Sequence, residues 1–99
     1  MKSPRKIATV YQGEDEQVEY GLDTSNWGGY TSDAACVIKN ESGKDTTSTN
    51  LSGSASANGD TITSPLVISL TKGIKYRLEF QWVYSGNTFE AWLEIIGEE

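Results

Sequence analysis

Residues 75–96 read KYRLEFQWVYSGNTFEAWLEII, and their alternation decides the fold class. Tyr76, Leu78, Phe80, Trp82 and Tyr84 fall on one face of the first half, and Phe89, Ala91, Leu93 and Ile95 on one face of the second. A period of two sustained over this length specifies strands with one buried face. A two-residue loop at Gly86-Asn87 pairs Tyr84 with Phe89, Trp82 with Ala91, Phe80 with Leu93 and Leu78 with Ile95, so apolar residues meet throughout. A three-residue loop sets Trp82 against Glu90 and fails, because a slip of one residue turns a strand's faces over. The hairpin with the Gly86-Asn87 loop is the expected pairing.

Outward from this hairpin the same period recurs in shorter pieces. Ile7 to Tyr11 is β-branched and aromatic and is closed by Gly13 and the acidic turn Glu14-Asp15-Glu16. Gln17 to Leu22 places Val18, Tyr20 and Leu22 on one face, and Asp23 to Gly29 is rich in turn formers. Ala34 to Lys39 reads as a short buried strand ending in the turn Asn40 to Lys44. The Thr/Ser-rich run 45–64 is read as short strands around a tight turn at Asn58-Gly59-Asp60, with Leu51 and Ile62 pointing inward. Leu66 to Leu70 follows Pro65, and Thr71-Lys72-Gly73 turns the chain into the final hairpin. About seven short strands with turns every eight to twelve residues predict an all-β, antiparallel sandwich.

The totals agree with one small domain spanning residues 1–99, with 1–6 as a flexible N-terminal arm. The 99 residues carry 14 acids and 8 bases for a net charge of −6, which opposes contact with a phosphate backbone. No apolar run reaches membrane-spanning length, and the first residues lack the apolar stretch of a secretory signal. A lone Cys36 forms no internal disulfide. These features predict a chain made in a cytoplasm, with no nucleic-acid and no membrane partner.

Catalytic chemistry lacks its usual residues. The chain has no histidine, which removes Ser-His-Asp and Cys-His systems and the commonest metal ligand. Cys36 sits in the apolar run Ala34 to Ile38 and is expected to be buried and inert. Glu90 and Glu94 lie on the outer face of the hairpin with no sign of a cleft between carboxylates. Glu14, Asp15 and Glu16 lack the spacing of a calcium loop, and Gly28-Gly29 lacks the lysine and helix of a phosphate cradle. No catalytic, metal or cofactor residues are assigned, no small-molecule substrate is expected, and the chain is read as a non-enzyme.

What remains is surface. Trp92 lies on the outer hairpin face beside Val83, Ile96 and Gln81, and these residues form a candidate apolar strip with a polar rim. The competing reading covers Trp92 with the N-terminal strand or a loop of the same domain. Trp27 and Tyr30, in Trp27-Gly28-Gly29-Tyr30, form a second candidate as an aromatic loop tip, against a plug that folds back on the domain. Arg5 and Lys6 at the basic N-terminus are a third candidate contact.

Two local patterns add a resemblance. Gly73-Ile74-Lys75-Tyr76-Arg77-Leu78 resembles the corner of immunoglobulin-like folds, in which a tyrosine bonds back to the chain; an ordinary core-edge tyrosine is the other reading. That resemblance implies that Leu78 and Cys36 occupy inter-sheet positions, in contact without a disulfide. The order Tyr11-Gln12-Gly13-Glu14-Asp15, Leu22 to Trp27, Thr47 to Gly53, Ser69 to Glu79 and Asn87 to Ala91 resembles small structural proteins of tailed phages, and the group it is most similar to is the phage fiber-tail adaptor family. The likeness implies an immunoglobulin-like virion component that joins tail, fiber or baseplate parts and contacts other virion proteins and copies of itself. Head-decoration (cement) and neck proteins share that architecture. A carbohydrate-binding module, with Trp27, Tyr30 and Trp92 as a stacking platform, is the rival of another class.

Overall fold

The computed structural model describes residues 5–24, 32–84 and 86–98. Nine strands and one helical turn follow in chain order: β1 (Arg5–Gly13), β2 (Gly21–Asp23), β3 (Ser32–Asn40), α1 (Thr47–Asn50), β4 (Leu51–Ser52), β5 (Ser56–Asn58), β6 (Thr61–Thr63), β7 (Leu66–Val67), β8 (Lys75–Tyr84) and β9 (Asn87–Glu98). The class is all-β. A four-stranded sheet runs β1-β9-β8-β3, a three-stranded sheet runs β2-β6-β5, and β4 pairs with β7.

The β8–β9 hairpin is the centre of this arrangement, and its inner face is the one expected. Tyr76, Leu78, Phe80, Trp82, Ala91, Leu93 and Ile95 are buried. The register differs from the expected one by two residues: Tyr84 opposes Asn87, Trp82 opposes Phe89, Phe80 opposes Ala91 and Leu78 opposes Leu93. A shift of two keeps every side chain on its face, so apolar patterning cannot choose between the two registers. The outer face can. The expected register opposes Glu79 with Glu94, like charges directly across a ladder. The observed one opposes Arg77 with Glu94 and Glu79 with Trp92. It also stacks Trp82 on Phe89 at 6.1 Å and leaves Gly86, with φ 79°, in the loop, where glycine takes the left-handed conformation without steric cost.

Both long strands gain a second neighbour. β3 pairs antiparallel with β8, and β1 pairs with β9 in parallel. The sheet is therefore mixed, where antiparallel pairing was expected. Arg5 and Lys6, assigned above to a flexible arm, belong to β1. Leu22 and Ile62 from the three-stranded sheet join Val67, Leu70 and Ile38 in one buried cluster with the hairpin. The Gln12 amide ties β1 to the strands that cover it. Its Nε2 donates to the carbonyls of Val67 (2.8 Å) and Glu16 (3.0 Å), and its Oε1 accepts from the Tyr20 hydroxyl (2.7 Å). Those bonds satisfy a side chain that would otherwise be costly to bury.

Several expected strands are shorter, each for a local reason. From Gln17 to Leu22 only the end joins a ladder, because Val18 bridges Val67 and the Tyr20 N–H donates to Ser64 Oγ. Thr47–Asn50 is a helical turn and not a strand. Asp45 Oδ1 accepts from the Thr47 N–H at 2.9 Å, a side-chain bond that competes with a sheet ladder. Leu66 to Leu70 stops pairing at Val67, since Ser69 has φ 56°; Asn50 Nδ2 donates to the Ile68 and Ser69 carbonyls around it. The β5–β6 hairpin turns at Gly59-Asp60, with Asn58 opposite Thr61, as expected.

The position of Cys36 corrects one expectation. Cys36 opposes Phe80 and Ile38 opposes Leu78 across β3 and β8, so Cys36 and Leu78 lie in the same sheet and do not face each other across the core. Leu22, on the other sheet, shares the buried cluster with Leu78. Tyr76 bonds back to the chain at the corner before β8: the Thr71 N–H donates to its hydroxyl at 2.9 Å.

The turn below that corner depends on Gly97. Its N–H donates to the Ile74 carbonyl and its own carbonyl accepts from Gly73, both at 2.9 Å. A Cβ built on Gly97 overlaps the Thr71 carbonyl oxygen, a backbone atom with no rotamer to yield. Gly97→Ala is therefore expected to destabilise the fold by about 1–3 kcal/mol, lowering Tm by on the order of 10 °C for a domain of this size. Thermal unfolding followed by circular dichroism checks this, and an unchanged Tm would contradict the close approach.

Candidate binding surface

The outer face of the four-stranded sheet brings together residues from β1, β3, β8 and β9. Trp92 is at its middle, opposite Lys6 on one side and Glu79 on the other. It is half-buried. The Arg77 guanidinium lies over the ring 4.2 Å from its centroid, and Lys6 Nζ lies 5.6 Å from it. Each cation is attracted by the ring's electron-rich face, by about 0.5–1 kcal/mol at exposed sites, while its stem covers apolar area. Side chains of β1 and β8 therefore cover part of the tryptophan from within the domain.

Carboxylates hold those cations in place. Glu94 accepts from Thr9 Oγ1 at 2.9 Å and from Lys6 Nζ at 3.2 Å. Glu79 lies 3.0 Å from Arg77 Nε and 3.4 Å from Lys39 Nζ. The Arg77–Glu79 contact is close as a pair of charges, but its N–H is not aligned for a hydrogen bond. Exposed pairs of this kind contribute little each, and their effect here is to set orientation. Lys39, Lys75, Arg77, Glu41, Glu79 and Glu94 rim a groove of about 550 Å³ beside Trp92. The lining mixes both charges and is unlike the apolar walls of a small-molecule pocket.

The other expected contact residues are dispersed. Val83 opposes Thr88, while Trp92 opposes Glu79; the four-residue offset along β8 is roughly 13 Å. Glu94 separates Trp92 from Ile96 along β9, and Gln81 is exposed and bonds Glu90 across the ladder at 3.4 Å. Val83, Trp92 and Ile96 thus do not form one strip. Trp27, Tyr30 and the Arg5 side chain lie outside the described residues. Ile96 has a neighbour that the sequence reading did not single out, Tyr11 on β1. Tyr11 is 63% exposed and Ile7 is 40% exposed, and these are the large hydrophobics left open among the described residues. Their alternation marked a strand; only its place at the sheet edge marks them as surface.

Among the described residues no three of the Cys, Asp and Glu side chains cluster as metal ligands. Burial pushes the Cys36 thiol up to about 12. The thiol therefore stays protonated at pH 8 far more completely than that of a free cysteine. A disulfide reagent is expected to label Cys36 at least a hundredfold more slowly in native protein than in denaturant; equal rates would show an accessible thiolate.

Hydrogen bonds from Thr9 and then Lys6 hold the Glu94 carboxyl below its ordinary 4.5. A depressed folded value stabilises the fold above the unfolded pKa, and that contribution is lost as pH falls through the folded one. Urea unfolding is therefore expected to show Glu94→Gln less stable than wild type at pH 7, with the difference shrinking as pH drops below 4.5. A difference independent of pH would contradict this assignment.

Comparison with known proteins gives no match to a family model, to a curated protein or to a solved structure.

Proposed function

We propose that this chain is a non-enzymatic assembly module of the tailed-phage virion, an immunoglobulin-like β-sandwich that joins tail, fiber or baseplate components. The observation that supports the sandwich part of this reading is the corner at Tyr76. The hydroxyl receives the Thr71 N–H at the entry to β8, in a chain whose larger sheets run β1-β9-β8-β3 and β2-β6-β5. A tyrosine near the start of the penultimate long strand, bonded back across the connection, is the recurring corner of immunoglobulin-like sandwiches. The parallel β1–β9 pair alongside antiparallel partners fits that architecture, with β2, β6 and β5 as the second sheet.

The virion assignment rests on the resemblance of the Tyr11-Gln12-Gly13-Glu14-Asp15, Leu22 to Trp27 and Ser69 to Glu79 segments to tailed-phage structural proteins. The surface supports an interaction role over sugar stacking. A sugar platform needs an open aromatic face, and the ring of Trp92 carries Arg77 on it. Capsid-surface and neck positions use the same architecture, and the particle itself discriminates among them.

Mass spectrometry of purified phage particles from cells that express this chain is expected to find it in several copies per particle, and dissected tails are expected to retain it. Absence from particles, with the protein present in the lysate, would overturn the reading. Recovery with heads and not tails would move it to the capsid surface.

A further inference from the structure

We infer that β1 is a homotypic docking edge, which pairs antiparallel with β1 of a second copy about a two-fold axis near Thr9. This deepens the assembly reading by naming a partner, and it rests on that reading for its biological setting.

The two outer strands of the four-stranded sheet differ. β3 is covered along Ile38–Lys39 by the segment that follows it: Thr46 donates to the Ile38 carbonyl, the Ile38 N–H donates to Thr47 Oγ1, and Lys39 bridges Asp45. β1 is the other outer strand, and among the described residues no strand lies beyond it. It also carries both open hydrophobics, Ile7 and Tyr11. A long edge with apolar side chains is a template for another strand.

The choice of partner comes from the order of residues along β1. The strand begins with Arg5 and Lys6, carries no charge from Ile7 to Gly13, and runs into Glu14, Asp15 and Glu16. Antiparallel pairing centred on Thr9 brings the Ile7 end of each strand towards the Tyr11 end of the other. The same register brings the basic start of each strand to the acidic turn of its partner, twice, as two-fold symmetry requires. Parallel pairing opposes like charges and lacks this complementarity. The irregularity between Lys6 and Thr9 blunts the edge against arbitrary strands, which restricts the contact to a short segment and favours a partner matched in charge.

The test is sedimentation of the full chain at low ionic strength, with thermal unfolding confirming that each variant folds. Wild type is expected to dimerise. Arg5→Glu, which spares Lys6 and its bond to Glu94, and Glu14→Lys are each expected to weaken the dimer about tenfold. An equimolar mixture of the two restores it, because each altered end then meets its complement. Tyr11→Lys weakens the dimer, and neither charge variant rescues it. A wild type that stays monomeric at its highest soluble concentration overturns the inference, as does a dimer indifferent to all three substitutions or a mixture that fails to recover. A monomer leaves the virion reading standing, since particle analysis needs no self-association. A dimer absent from particles does the reverse.

Discussion

The pairing of β8 with β9 is the constraint on which the other strands depend. These strands are central in the larger sheet, so each sets the position of one outer strand, β3 through β8 and β1 through β9. Their shared inner face supplies Tyr76, Leu78, Phe80, Trp82, Ala91, Leu93 and Ile95 to the core. Full burial of a large apolar side chain contributes about 1.5–3 kcal/mol, so no alternative that exposes this face competes. Parity alone leaves registers two residues apart nearly equal. The choice between them falls to weaker forces on the wet side, where Glu79 avoids Glu94 and Arg77 meets it. Weak interactions decide here because the strong ones do not distinguish.

The far end of the hairpin shows how that register propagates. Lys75 opposes Ile96, which places Gly97 against the 71–74 turn, where it exchanges backbone bonds with Gly73 and Ile74. The same turn presents the Thr71 N–H to Tyr76. Around the other side, Gln12 reaches from β1 to Val67 while Val67 bridges Val18. The apolar core is thus closed at one end by backbone contact and along one edge by a buried amide. The first pairs backbone groups of Gly73, Ile74 and Gly97 beyond the end of β8, and the second gives the Val67 carbonyl a donor besides the Val18 N–H.

Much of this was legible in the residues. Alternation identified the long strands and their buried faces because burial of one face is a large, local and periodic signal. Gly73, Gly43 and Gly59 marked turns that the structure has, each with positive φ. Three features were not legible. The register needed the outer charges to be weighed, and the apolar count passed over them. The parallel β1–β9 pair joins segments at opposite ends of the chain, and nothing local announces such a partner. The helical turn at Thr47–Asn50 arises from the Asp45–Thr47 bond, in a run whose composition suits strand and turn alike. Cys36 and Leu78 were placed on opposite sheets by analogy, whereas β3 pairs directly with β8. The analogy chose the wrong strand, and Leu22 and Ile62 are the residues that enter the core from the other sheet.

The candidate surface moved for a related reason. From the pattern alone Trp92 stood out, since an aromatic on a wet face suggests an unmet partner. Folding brings Lys6 from β1 and Arg77 from β8 onto its ring, so the ring has two cationic neighbours within the domain, and Glu94 and Glu79 pair with them. The strand that supplies Lys6 becomes the sheet edge in doing so, and that edge leaves Tyr11 and Ile7 open. Satisfying one aromatic on the face exposes another on the margin. The broad face is thus lined by paired charges, and the open apolar side chains lie on the narrow outer strand.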